Sequence, residues 1–251
     1  MSFSGKPVKG APYAAQAVTE TTQTLSDGNH ITRKSTANVY RDSEGRTRRE
    51  ETMRAIGPWA AGGEPPQMIF IHDPVAGVSD HLEPQIHVAH KIPMGKDAVF
   101  FNGAGPGGPS PKSTFFIRTG PGGADATMAA AGQVAAPGTA MIKPDVKTES
   151  LGKQTIEGVE VEGTRSTITI AAGAIGNDRP IVSTSERWYS ADLQVVVMSK
   201  HSDPRFGDTV YQLTNVQRGD QPVTLFEVPS DYTVREGPPA MHFHKQAAET
   251  K

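Results

Sequence analysis

The chain has 251 residues, with 27 acidic and 25 basic side chains, a net charge of −2 and no Cys. Near-neutrality removes the general field that gathers nucleic acid or an anionic membrane. The missing Cys exclude disulfides, thiolate metal sites and Cys nucleophiles. Hydrophobic residues make up 36% of the chain, enough to bury a core and to exclude wholesale disorder.

Val (20), Ile (13) and Thr (23) total 56 residues, against 6 Leu. β-Branched side chains are stiff at χ1 and suit a pleated surface, whereas helices favour straight-chain residues. Gly and Pro together number 46, about 18% of the chain against a usual level near 12%. Many extended segments joined by many turns explain both figures, so the expected class is mainly β. No apolar run reaches the roughly 18 residues of a membrane-spanning helix, so no transmembrane segment is expected.

Residues 1–13 read as a flexible leader, with Lys6 and Lys9 but no apolar stretch of signal-peptide kind. Gln16–Leu25, Ile31–Tyr40 and Arg46–Arg54 then read as a three-strand meander. Their turns are Asp27-Gly28, which tolerates the positive φ of a tight hairpin, and Arg41-Asp42-Ser43-Glu44-Gly45-Arg46. Ile56–Pro66 is a loop carrying Trp59. Gln67–His72, Val78–Leu82 and Ile86–Ile92 are short strands set apart by Asp73–Gly77 and Glu83-Pro84. These close the first β half, residues 14–101.

Residues 102–144 form a Gly, Pro and Ala-rich insertion, with nine Gly and five Pro before residue 141. Such composition buries too little surface to offset its ordering entropy, so a mobile segment or a lid is expected. The second β half, 145–236, starts with Thr148–Gln154 and Ile156–Ile170, which carry strand signals around Glu157-Gly158 and Glu162-Gly163. Ala171–Pro180 is a loop, and Ile181–Tyr189 and Leu193–Ser202 form a hairpin. Thr209–Gln217 follows, then one helical turn at Val223–Val228 and a short strand at Tyr232–Val234. Residues 237–251 are a polar tail.

Five phrases of the second half carry a resemblance. They are Glu149-Ser150-Leu151-Gly152, Ile156-Glu157-Gly158-Val159-Glu160-Val161 and Arg187-Trp188-Tyr189-Ser190-Ala191-Asp192-Leu193. Leu213-Thr214-Asn215-Val216 and Leu225-Phe226-Glu227-Val228-Pro229-Ser230-Asp231-Tyr232-Thr233-Val234 complete the set. Over about 90 residues the chain resembles the LolA/RseB-type envelope proteins, lipoprotein carriers and sensors. That resemblance implies a curved antiparallel half-barrel over an apolar hollow, and a periplasmic or secreted place, with a cytoplasmic one as the alternative. The first half, around Tyr40–Glu50, is similar to uncharacterised secreted bacterial proteins, which implies no function.

A curved sheet has a concave face to be filled by helices, side chains or a ligand, and few helices are expected here. The leading reading is therefore a non-catalytic envelope protein binding a lipid or acyl chain. Alternation assigns the contacts to Ile69, Ile71, Val159, Val161, Trp188, Val195, Val197 and Tyr211. A one-residue register error would reverse them.

The alternative is a protein-interaction or stress-sensor module that meets an acidic envelope partner through Arg33, Arg41, Arg46, Arg48 and Arg54. Arg forks match carboxylates, although interleaved Glu44, Glu50 and Glu51 favour a merely solvated strand. A second alternative is a metal-dependent hydrolase around His72, Asp80 and His81, with His72 and His81 opposed across a turn. Zinc asks for three or four ligands and a second shell. His87 and His90, at i and i+3 of a strand, would point apart. His242 and His244 lie in the tail. No Gly-x-Ser-x-Gly elbow or phosphate-binding loop is present, and no cofactor is expected.

Overall fold

The structure is a computed structural model and describes residues 7–52, 66–94 and 145–238. Arg54, Trp59, the insertion at 102–144 and the His242/His244 pair lie outside the described residues. All twelve described strands join one curved, unclosed sheet. They are β1 (Tyr13–Thr24), β2 (His30–Arg41), β3 (Thr47–Thr52), β4 (Gln67–Asp73), β5 (Val78–Glu83) and β6 (Val88–Pro93). The second half supplies β7 (Asp145–Ile156), β8 (Val159–Ile170), β9 (Ile181–Ser190), β10 (Val195–Asp203), β11 (Gly207–Arg218) and β12 (Thr233–Glu236).

Their order is β12-β6-β5-β4-β3-β2-β1-β11-β10-β9-β8-β7, so the two halves meet where β1 pairs antiparallel with β11. Every described pairing is antiparallel except β12 with β6. This is the half-barrel architecture that the resemblance implied. Among the described residues there is no α-helix, only a 3₁₀ turn at Val223–Phe226.

Local chemistry sets the turns. Asp27 Oδ1 accepts the Asn29 amide at 2.9 Å, and Gly28 takes φ +83°. Glu157 and Gly158, with φ +51° and +73°, join β7 to β8 as a two-residue hairpin. Glu162-Gly163 lies within a strand, as expected. Gly163 lies inside β8 opposite Trp188, whose ring occupies the space a Cβ would need, 2.5 Å away. Pro84–His87 is a turn, so the expected strand at Ile86 begins only at Val88, and His87 is outside it.

Residues 7–13 of the expected flexible leader are docked rather than free. The Gly10 amide donates to Ser43 O at 2.9 Å, and Ala11 and Tyr13 are buried. A side chain at Gly45 would meet Val8 O at 2.9 Å. Asp42 orders the turn beneath, accepting the Arg46 amide at 2.8 Å and Arg46 Nε at 2.5 Å.

Arg41 ties the two halves together. Its Nε and Nη2 donate to Ala11 O at 2.9 and 2.7 Å, Nη2 also donates to Leu193 O, and the guanidinium stacks on Tyr13 at 4.8 Å. Leu193 sits in the β9–β10 turn, three strand steps from β2. In a flat sheet that is about 14 Å, farther than an arginine reaches, so the contact requires strong curvature. The Asn215 amide on β11 donates to Glu157 Oε2 in the β7–β8 turn at 3.0 Å, which bends the same end again.

Arg41→Met should therefore lower unfolding free energy by about 3 kcal/mol in urea titrations, because two buried carbonyls lose a charged donor. Gly163→Ala should cost about 2 kcal/mol through overpacking against Trp188. An unchanged urea midpoint in both variants would contradict these assignments.

Candidate functional site

Apolar side chains gather in two separate clusters. The larger joins Tyr13, Ala15, Ala17, Ala37, Val159, Val161, Trp188, Leu193, Val195, Val197, Tyr211 and Leu213. The smaller joins Ile69, Ile71, Leu82, Ala89 and Phe226, with Tyr40, Leu225, Val228 and Tyr232 beside it.

Register explains the separation. Tyr211 and Leu213 pair with Thr19 and Ala17, Ala17 pairs with Ala37, and Ala37 pairs with Glu51 and so with Met68. Ile69 pairs instead with Glu50 and Asn38, one residue out of phase. Paired residues share a face and neighbours alternate, so Ile69 and Ile71 face away from Tyr211.

All eight residues expected to contact a ligand are buried, with exposures from 0 to 8%. They do not form one surface, however. Ile69 and Ile71 serve the small cluster, which the 3₁₀ turn covers by packing on β3 and β4. Val159, Val161, Trp188, Val195, Val197 and Tyr211 stay together in the large cluster.

Sequence reasoning missed the other six members of that cluster, Tyr13, Ala15, Ala17, Ala37, Leu193 and Leu213. Ala15, Ala17 and Ala37 form a row of small residues in β1 and β2, where Ala is disfavoured by strand propensity. Their alternation was a legible signal. It also missed Ser199 beside the cluster, directly paired with Tyr211 and 3% exposed. Three polar atoms are buried in this region without a hydrogen-bond partner among the described residues: Trp188 Nε1, Ser199 Oγ and Tyr211 Oη. Burial raises the Tyr211 phenol, which keeps it a neutral donor.

The arginines expected to form a partner surface are mostly committed within the molecule. Arg41 is buried on backbone carbonyls. Arg46 is held by Asp42 and lies 5.5 Å from the Phe226 ring. Arg48 pairs with Glu50 at 2.7 Å and donates to Leu225 O at 2.8 Å. Arg33 is exposed.

The three residues weighed for a metal are also divided. His81 pairs with Phe70 and His90, and His72 with Ser79, all on one face. Asp80 points the other way, paired with Ile71 and Lys91. Adjacent strand residues cannot converge on one ion. Among the described residues no group of three metal-ligating side chains converges.

His81 sits edge-on to Phe70 at 4.9 Å, and burial with the nearby His90 pulls it down to about 4. Burial raises the Asp80 carboxyl, against the pull of Lys91, and its Oδ1 has no partner among the described residues.

No known family profile and no curated protein sequence matches the chain. Among solved structures it is similar to a chain in the MucA/MucB complex of Pseudomonas aeruginosa, at 11% identity and a TM-score of 0.38. That match covers 89% of this chain but only 58% of the other. LprF from Mycobacterium bovis matches at 11% identity and a TM-score of 0.32, over 88% of this chain and 90% of its own. A LolA superfamily protein from Nitrosomonas europaea matches at 10% and 0.24, over 86% and 90%. Likeness at this level assigns neither ligand nor partner. No described helix is long and apolar enough to cross a membrane.

The depressed His81 gives the fold a definite pH response. The unfolded chain takes up a proton near pH 6.5 that folded His81 accepts only near 4. Its stabilisation is therefore complete above pH 6.5 and is lost as pH falls toward 4, by about 2–3 kcal/mol. Thermal melts should show this slope, and His81→Gln should flatten it. Asp80 has the opposite sign, so Asp80→Asn should raise the melting temperature at pH 7.

Proposed function

We propose that the chain is a non-catalytic envelope protein that holds an elongated apolar ligand, a lipid or acyl chain, against the large cluster. The observation that carries this reading is a set of buried polar atoms without a partner among the described residues, Trp188 Nε1, Ser199 Oγ and Tyr211 Oη, at an apolar cluster. Buried polar atoms in a finished interior are paired in the great majority of cases. A ligand bearing an oxygen-rich head and a hydrocarbon tail would satisfy the donors and extend the apolar packing. The absence of any α-helix over the sheet among the described residues is consistent with such an occupant. Ile69 and Ile71 have no part in this site, since they face the other way.

Native mass spectrometry of the purified chain, repeated after denaturation, tests the proposal. A bound mass of a few hundred daltons is expected, lost on unfolding and recovered in organic solvent. Tyr211→Phe and Ser199→Ala each remove a donor or acceptor without removing bulk. With a ligand that uses these groups, each variant should bind about tenfold more weakly. If the atoms are simply unsatisfied, both variants should instead gain about 1 kcal/mol of stability with no change in bound mass, and the proposal fails. Trp188→Phe is the cleaner replacement at that position, because Trp188→Ala would also empty the space over Gly163.

A further inference from the structure

Among the described residues Val75, Ile86, Val146, Val223 and Val234 are exposed elsewhere, but four other large apolar side chains lie on neighbouring parts of the sheet. Leu25 in the β1–β2 turn, Ile175 in the β8–β9 loop, Val182 at the start of β9 and Phe206 in the β10–β11 turn are all exposed, by 36, 56, 45 and 66%. The sheet order β1-β11-β10-β9-β8 brings these connections side by side, at the end away from the Arg41 contact. One cleft of about 260 Å³ confirms the adjacency, being lined by Thr22, Thr24, Val182, Asp203, Arg205 and Gly207 among others. Leu25 follows Thr24 directly, and Phe206 stands between Arg205 and Gly207.

These tips are built, not frayed. Leu25 accepts from the Gly28 amide at 2.9 Å and donates to Asn29 O at 2.8 Å. Asn177 braces the Ile175 loop through Ala171 O and Arg179 O at 2.9 and 2.7 Å. Asp203 holds Arg205 at 2.7 Å, the Phe206 amide donates to Asp203 O, and the Arg205 guanidinium lies 5.0 Å from the Phe206 ring. Hydrogen-bonded turns thus fix several large apolar side chains in water at one end of the sheet.

We infer that this end docks on a zwitterionic phospholipid surface, with the turn tips entering the headgroup–acyl boundary. Shape and charge select this occupant. The exposed apolar side chains stand around a cleft lined mainly by Thr, Gln, Ser, Asp and Arg, with Val182 at its wall, and so form no continuous apolar core of the kind a stable protein interface buries. A bilayer interface accepts separate apolar tips and hydrates the polar floor at headgroup level. Charge around the tips is nearly balanced, with Asp27, Asp178, Asp203 and Asp208 against Arg179, Lys200 and Arg205, so no attraction to anionic lipid is expected. The inference goes beyond ligand uptake and does not depend on it.

Flotation of the full chain with phosphatidylcholine vesicles tests it, at low and high salt. Binding is expected to be equal at both, and to fall about tenfold for Phe206→Ser and further for Leu25→Ser with Phe206→Ser. Val75→Ser, at the opposite end of the sheet, should bind as the parent does, and circular dichroism should show all variants folded. No vesicle binding by the parent, undiminished binding by the double variant, or binding only to anionic vesicles and lost in salt would each overturn the inference. So would a dimer in light scattering that Phe206→Ser dissolves without any vesicle binding. A chain that floats with vesicles yet carries no ligand in native mass spectrometry would sink the ligand proposal and leave this one standing.

Discussion

The contact on which the fold turns is Arg41 with the carbonyls of Ala11 and Leu193. A twelve-stranded sheet left flat would expose both faces and bury little. Drawing β2 toward the β9–β10 turn forces the sheet to curl, and the curl lets side chains from distant strands pack on one another. The guanidinium is a suitable agent because it stays charged while desolvated and offers several donors in one plane. Burial works against that charge and lowers its proton affinity, so the surrounding carbonyls and the Tyr13 ring must hold it.

A second consequence of the curl is that the two faces do different work. The chain after β11 lays Phe226 and Leu225 over Ile69 and Ile71, then runs as β12 beside β6. His87 stacks on Tyr232 at 5.3 Å, and the Thr233 amide donates to His87 O, so this strap is fastened where β12 begins. The small cluster is therefore covered by the strap. Three of the four buried polar atoms that the described residues leave unpartnered lie at the large cluster, and the fourth, Asp80 Oδ1, lies on the face of Ile71. The two clusters thus occupy opposite faces of one sheet.

Much of the strand layout was legible, because β-branched alternation and the Asp-to-Gly turns are local signals. Asp27-Gly28, Asp42–Gly45, Asp73–Gly77 and Asp203–Gly207 all close turns between strands. The site was only partly legible. Six of the eight residues assigned to the ligand face share a cluster, but Ile69 and Ile71 do not. The Arg-rich strand read as a surface, whereas Arg41 and Arg48 are turned inward by partners far along the chain. Bulges at Val196/Met198, Ala14/Gln16 and Ser150/Gly152 also break the alternation that a period-two reading assumes.

The sequence by itself determined the class, the turns and the discarded chemistries, since residue type alone sets β propensity, positive φ at Gly and the absence of thiols. Which residues share a face was decided only by the tertiary structure. Facing depends on the register between strands, and in this sheet β1 pairs with a strand almost two hundred residues later. That register shifts wherever a bulge falls. The same long-range pairing brings three apolar loop residues and Val182 to one end, where no stretch of sequence had shown them to be neighbours.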